Sequence, residues 1–488
     1  MKEKIELNDW FYNAGLIGFL RIMEKYQKDA VVVQDNYVEF DTEALKEFHK
    51  CYFQYLFETY DIAKTMEKRM NESFYKMKQY LEIQSEDKKE LNEAKERLKK
   101  EKKYIKNSIK KQMDKIKKFD QKTENTILEE YNKIDAIKEK GQIEELESIF
   151  NQIKQCLYKD HINKKLTTNL FKNILSNKYF GQPSFLNVVK NSASYEEQMN
   201  LMYKDYVSNI VETGYLKDFI DGKYNLEKLK EHIENLDQEI ITKEMLKIYT
   251  DINKKYIEKS KKPNDVKEYI EKNVFKICYL CADEHCITSD YSESNFLPIA
   301  VSSKNMKNFF WNQKVNYPIC DMCKLIMFCI PMGLTTTTKI TRDNQKYEEK
   351  DILSFVNYDT NIENLLRTNN NFASKSKKDK YIESPYGDLL LDIVEQEKDI
   401  SKWQLENIFV VEIDAEYLAY SRIEYFRITR PIAIFFKEYA DKSLMKIKDY
   451  RLKIQMVDKI MKNKDPKYII NDKIRDVIKN KYGGYETF

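Results

Sequence analysis

The sequence predicts an α+β protein that is predominantly helical. Three observations carry that prediction. Glycine (10) and proline (8) are scarce in 488 residues, so tight turns are few. A long stretch, residues 61–160, repeats apolar residues at helical spacing. The β-branched runs are short and isolated.

The elements follow in order. Trp10, Ala14, Ile17 and Leu20 recur at three- and four-residue steps, which predicts a buried helix over 8–26 with Asn8 or Asp9 as its cap. Gly15 and Gly18 inside it lower helix propensity, and the expected reason is close approach by another backbone. Val31-Val32-Val33, then Gln34-Asp35-Asn36, then Tyr37-Val38-Glu39-Phe40 is a hairpin pattern. Thr42 is expected to cap a helix running towards Tyr60.

Residues 86–122 hold 15 Lys/Arg and 8 Asp/Glu. A thin apolar stripe of Leu91, Ala94, Leu98, Ile105, Ile109, Met113 and Ile116 predicts a long helix or helical hairpin with one packing face. The basic block Lys99–Lys118 has ten basic and two acidic residues. It reads either as a solvated helical arm or as a nucleic-acid-contacting stripe. Residues 161–260 are mostly helical, with loops at Gly181-Gln-Pro183 and Asp221-Gly222, and Lys259–Asn264 reads as a linker.

Thr335-Thr-Thr-Thr338 is β-prone, Asn369–Lys380 reads as an exposed loop, and Ile408–Ile413 as a strand. Helices are expected at Glu416–Ile428, Pro431–Met445, Leu452–Met461 and Asn471–Lys481.

Cys278-Tyr-Leu-Cys281 and Cys320-Asp-Met-Cys323 are two Cys-x-x-Cys knuckles separated by 38 residues. Two intervening residues let both thiolates of a knuckle face one tetrahedral ion. The pattern predicts one structural Zn²⁺ held by Cys278, Cys281, Cys320 and Cys323. An iron–sulfur cluster or empty thiols are the alternatives. His285 and Cys286 lie near enough in sequence to substitute, without a Cys-x-x-Cys partner to recommend them. Cys51, Cys156 and Cys329 read as buried small residues. Four thiolates close the coordination shell and offer no open position for catalysis.

The domain expectation is a mostly helical domain with a short hairpin over 1–262, a zinc-ribbon-like Cys-x-x-Cys module over 263–345, and a C-terminal region of strand then helices over 346–488. In class terms this is an N-terminal mixed domain with a long helical arm, an inserted zinc-ribbon-like module and a helical C-terminal region.

Net charge is only +4, from 84 basic and 80 acidic residues. Any nucleic-acid contact must therefore come from local patches. The start, Met1-Lys-Glu-Lys-Ile, lacks an apolar signal region. No apolar run approaches the roughly 18–20 residues of a membrane span, so the expectation is a cytoplasmic protein with no membrane partner. No phosphate-binding glycine loop, H-E-x-x-H or G-x-S-x-G is present, and none of the four histidines precedes an aspartate. Asp283-Glu284-His285 reads as a charged turn beside the first knuckle. The chain is read as a non-enzyme.

Two stretches together resemble a known family. One is Asp9-Trp-Phe-Tyr-Asn-Ala-Gly-Leu-Ile-Gly-Phe-Leu-Arg21, and the other is the widely separated pair of knuckles. They resemble the large subunit of type I-B CRISPR Cascade complexes, in its Cys-x-x-Cys/Cys-x-x-Cys subtype. The resemblance implies a non-catalytic subunit that caps the crRNA 5′ end and recognises the protospacer-adjacent motif in target double-stranded DNA. It further implies association with other Cascade subunits and recruitment of a separate helicase-nuclease. It also implies a helical C-terminal bundle, which in some systems is made separately as a small subunit.

Reading a short duplex motif needs a few Asn, Lys or Arg side chains at base edges and phosphates. The candidates are Lys304, Asn305, Lys307, Asn308 and Lys314 between the knuckles, and Lys339, Arg342 and Asn344 beyond them. For each, a solvated surface side chain is the plainer reading. Trp311 is read as core rather than as a strand-separating wedge. The competing functions are a stand-alone zinc-ribbon nucleic-acid-binding or scaffold protein and a metal-dependent nuclease.

Overall fold

The computed structural model describes residues 2–83, 87–259, 262–292, 295–299, 314–343, 346–358, 361–378, 408–414, 421–439, 443–461 and 463–479. The architecture is α+β and predominantly helical, as the sequence predicts. By Cα proximity the chain divides into two compact units. The first comprises Met1–Cys51, Asn177–Gly181 and Leu201–Phe488, and the second Tyr52–Ser176 and Gln182–Asn200. The sequence boundaries at 262/263 and 345/346 both fall within the first unit.

The first unit opens with strand β1 (Lys2–Glu6) and helix α1 (Trp10–Tyr26), followed by β2 (Val31–Val33) and β3 (Tyr37–Asp41). β2 and β3 form the expected hairpin, with Val33 opposite Val38. The sequence pattern does not predict β1; it pairs antiparallel with the other side of β3, Ile5 opposite Val38, to give the order β1-β3-β2. Asp9 caps α1, its side chain accepting from Tyr12 N. Thr42 is not the next cap. Asp41 takes that role, accepting from Glu43 N at a 3₁₀ turn that leads into α2 (Phe48–Tyr60).

The second unit contains α3 (Ile62–Glu82), α4 (Lys88–Ile116), α5 (Gln121–Lys133), α6 (Ile143–Leu157) and α7 (Asp160–Leu175). The basic region is thus one long helix of 29 residues. Its stripe packs inward as expected, with Leu98, Ile105, Ile109, Met113 and Ile116 sharing a core with Met66, Met70, Ile127, Leu146 and Ile153. Ala94 is also buried, whereas Leu91 is only half-buried. Asp61, Asp87 and Asp120 cap α3, α4 and α5 with their carboxylates.

The chain continues through α8 (Tyr195–Met202), α9 (Ser208–Ile220), α10 (Leu226–Glu234), α11 (Lys243–Ile252) and α12 (Pro263–Tyr269). Leu216, Phe219, Met245, Tyr249, Val266 and Ile270 make a second apolar core, within the first unit. One π turn, Ser176–Phe180, follows α7, and another, Tyr203–Val207, lies between α8 and α9.

Around the knuckles, β4 (Thr288–Tyr291) pairs antiparallel with β5 (Tyr317–Cys320). The latter runs into α13 (Asp321–Phe328) and α14 (Ile330–Gly333). An antiparallel meander follows, in the order β6 (Thr335–Asp343), β7 (Lys346–Tyr358), β8 (Ile408–Asp414) and β9 (Arg422–Arg427). The sequence predicts the strands at Thr335 and Ile408, but not β7. β9 corrects the helix expected over Glu416–Ile428, because Val410 and Phe426 are opposite each other in a ladder. Residues 416–420 of that expectation lie outside the described residues.

The loop expected at Asn369–Lys380 is also corrected: α15 (Ile362–Lys378) covers most of it, and residues 379–380 lie outside the description. α16 (Arg430–Glu438) is shorter than the helix expected over Pro431–Met445. α17 (Tyr450–Met461) and α18 (Lys467–Lys479) complete the described chain.

Candidate metal centre

The first knuckle follows a backbone bridge between Lys276 and Cys286. Cys278 N donates to Asp283 O, and Ala282 N donates back to Cys278 O, closing a tight loop. Ala282 sits at φ 59°, the left-handed conformation that such a closure needs. The second knuckle is built differently. Cys320 ends β5 and is the N-cap of α13, its sulfur accepting from Cys323 N at 3.4 Å. Amide dipoles at this helix start favour negative charge on the capping sulfur.

The two knuckles meet. Cys278 Sγ is 3.9 Å from Cys323 Sγ, and Cys281 Sγ is 3.8 Å from Cys320 Sγ. All four sulfurs lie within 4.8 Å of one another. A tetrahedral ion with metal–sulfur bonds of about 2.3 Å requires sulfur separations of about 3.8 Å, so the residues fit one ion. Backbone amides already point at the sulfurs: Leu280 N donates to Cys278 Sγ at 3.4 Å and Cys320 N to the same sulfur at 3.2 Å. All eight cysteines are free, and Cys281 is the most exposed of the four ligands. Hydrogen bonding from Cys281, Cys286, Cys320 and Cys323 holds the Cys278 thiol far below the usual range.

Cys286 is buried and directs its thiol to Lys276 O and Asp283 O, both at 3.2 Å. Cys51, Cys156 and Cys329 are buried, as expected. Asp283 braces the first knuckle. Its carboxylate accepts from His285 N and from the buried Lys217 Nζ at 2.9 Å. Lys217 also reaches Glu3 of β1 at 3.1 Å. Burial of Lys217 opposes its charge, but the two carboxylates more than offset it and leave its pKa raised.

The N-terminal helix is part of this centre. Tyr12 Oη lies 3.7 Å from Cys323 Sγ, and burial, reinforced by the cluster of sulfurs, pushes the phenol well above its ordinary pKa. It therefore remains a donor towards a thiolate. Asn8 Nδ2 donates to Leu280 O in the first knuckle, and Arg21 donates to Met332 O and Gly333 O in α14. A Cβ at Gly15 would fall 2.3 Å from Ile326 O, and one at Gly18 would fall 2.0 Å from Cys329 O. Reciprocally, a Cβ at Gly333 would fall 1.7 Å from Ala14 O. The close approach expected from Gly15 and Gly18 is to the helices that carry the second knuckle. Phe328 of α13 is stacked between Phe180 and Tyr206, at 4.8 and 4.1 Å. Both rings come from π turns, which rotate side chains off the helical register.

Sequence reasoning finds the four cysteines but misses Tyr12, Lys217 and Asp283 as their support. Tyr12 was discoverable: it precedes Gly15 by three residues and so shares its helix face. Lys217 gives no local signal. Of the nucleic-acid candidates, Lys314 is exposed. Lys339 and Arg342 lie on β6, but their side chains fall outside the description. Lys304, Asn305, Lys307, Asn308 and Asn344 lie outside the described residues, as does Trp311.

This is a protein with a cluster of four cysteines positioned to hold one metal ion, fastened directly to the helix Trp10–Tyr26. Residues 271–335, which contain both knuckles, match the family model described as CRISPR-associated protein (Cas_CXXC_CXXC). The match supports a CRISPR-associated protein. Comparison with curated proteins and with solved structures gave no match. No helix among the described residues is long and apolar enough to cross a membrane.

Proposed function

We propose that this chain is the non-catalytic large subunit of a type I-B CRISPR effector (Cascade) complex in the cytoplasm. In this reading it binds the crRNA 5′ end region, recognises the protospacer-adjacent motif in target double-stranded DNA, and helps recruit the helicase-nuclease. The observation that carries the reading is the junction of α1 with α13 and α14. The two stretches that resemble the family are one packed body, joined through Gly15, Gly18, Gly333 and Tyr12. The family match over 271–335 supports the same assignment.

The clamp supplies no chemistry to a substrate. Its ion, which we assign as Zn²⁺, is enclosed by four thiolates and holds the polypeptide between the knuckles at both ends. The nucleic-acid candidates Lys304, Asn305, Lys307, Asn308 and Lys314 lie in that intervening segment, Lys339 and Arg342 on the strand after α14, and Asn344 beyond it in sequence.

The test is co-expression with a repeat-spacer array and the neighbouring effector genes. The expected result is co-purification with crRNA and the other Cascade subunits, and duplex binding that depends on the motif beside the target. A chain that purifies alone, without crRNA, and binds duplexes regardless of that motif is instead a stand-alone zinc-ribbon nucleic-acid-binding or scaffold protein. Metal-dependent cleavage by the pure chain would overturn the non-catalytic assignment.

A further inference from the structure

The solvent face of α4 is charged in a way that internal pairing does not explain. Between Lys99 and Lys118, Glu101 is occupied internally: Ser73 Oγ donates to it at 2.6 Å and Lys76 is 3.8 Å away. Lys106 pairs with Asp135, and Lys102 donates to the backbone of Asp135 and Ile137. Lys99, Lys100, Lys103, Lys110, Lys111, Lys115, Lys117 and Lys118 remain exposed. Among the described residues, no acidic or hydrogen-bonding partner faces the side-chain ammonium of any of these eight. Asp114 is the one exposed acid left in that stretch.

The lysines are ordered. At about 100° per residue, Lys99, Lys103, Lys110 and the C-cap Lys117, whose backbone is still αR, fall in one row, and Lys100 and Lys111 in a second row about 100° around the helix, with Lys118 in the turn beyond α4. The first row extends about 27 Å at about 1.5 Å per residue, somewhat less than the roughly 34 Å of one turn of duplex DNA. Opposite them, Ile105, Ile109, Met113 and Ile116 are buried in the second unit's core. A single-stranded ligand calls for repeated aromatic platforms, yet Tyr104 is the lone large aromatic exposed between Lys99 and Lys118. Two lysine rows on a rigid support instead suit the two phosphate strands that flank a groove of a duplex.

We infer that the lysine face running from Lys99 along α4 to Lys117 and Lys118 at its C-terminal end is a docking surface for the phosphate backbone of double-stranded DNA, independent of sequence. The inference extends the proposed function, because none of the residues assigned there lies on α4. It also stands apart from it, since the surface can bind duplex whether or not the chain joins a Cascade complex.

The test uses the full chain alone and a duplex of arbitrary sequence, titrated by fluorescence anisotropy from 50 to about 200 mM salt. The variant replaces Lys99, Lys103, Lys110 and Lys117 together by Gln, a good helix former. A control replaces Lys228, Lys230, Lys243 and Lys247, all exposed elsewhere, by Gln. The expected result is a salt slope shallower by about 3–4 in the α4 variant, near 0.9 for each phosphate no longer neutralised, with the control close to wild type. Lys110→Gln alone, which leaves folding least disturbed, should lower the slope by about 1. Unchanged slopes in both α4 variants would overturn the inference. So would an equal weakening in the control, or a larger weakening on single-stranded RNA than on duplex. Co-purification of crRNA is a separate readout, so failure of either idea is recognisable.

Discussion

Lys172 on α7 is 3% exposed, and its ammonium has no hydrogen-bond partner among the described residues. Burial, with Lys165 adding to it, pushes its pKa down to about 8. Below that pH the native state must hold an unpaired buried charge, whereas above it the amine enters neutral. The unfolded chain keeps its proton up to about 10.4, so stability should rise as pH increases from about 8 towards 10.4. Lys172→Met should therefore stabilise the protein at pH 7 by about 1–3 kcal/mol. Denaturant melts at pH 7 and pH 10 should show that advantage shrinking at the higher pH. An equal effect at both values would mean that the amine keeps its proton in the native state as it does in the unfolded chain, so that burial does not depress its pKa. Tyr12 gives the opposite lesson at the same scale: one phenol, kept protonated, faces a sulfur that a metal requires as thiolate.

At the scale of elements, α1 approaches α13 and α14 most closely at its glycines, where backbone faces backbone. Gly15→Ala should gain about 1 kcal/mol of helix propensity but force a methyl against Ile326 O. The net expectation is a loss of about 1–3 kcal/mol, accompanied by weaker metal retention. Gly141→Ala is the control, because its added methyl meets nothing within 4 Å. A Gly15→Ala midpoint as high as that control would mean that the helices can separate without cost.

The glycines were legible because two of them interrupt an otherwise apolar helical pattern. Other elements were hidden because their decisive partners are distant. Asn369 looks like a loop residue, yet it is buried in α15 and bonds Val356 N and Val356 O of β7 through its amide. Tyr425 and Phe426 fit a helical spacing as well as an alternating one, and only the ladder with β8 selects the strand. In the metal centre, the cysteines announced themselves by spacing. Lys217 did not, since its partners Glu3 and Asp283 are 214 and 66 residues away.

For the whole molecule, the clamp joins segments that are far apart in sequence. Purified protein should contain one zinc per chain by elemental analysis. Removing it with a chelator should lower the thermal midpoint and expose four additional thiols to a thiol reagent, those of Cys278, Cys281, Cys320 and Cys323. Absence of both zinc and iron would overturn the metal assignment, and visible absorption from iron would change the ion while leaving the clamp.

The same long-range closure sets an order of events during synthesis. Ile326, whose carbonyl lies against Gly15, leaves the ribosome 311 residues after it. At about 5–20 residues per second, the first helix waits roughly 15–60 s for the backbone it is shaped to receive. Its apolar residues, Phe11, Leu16, Ile17, Phe19 and Leu20, are all buried in the finished protein and must be sheltered through that interval. The glycines that make the final fit so close are thus also the reason nothing made earlier can substitute for it. Helix α1 is translated long before the backbone that completes it.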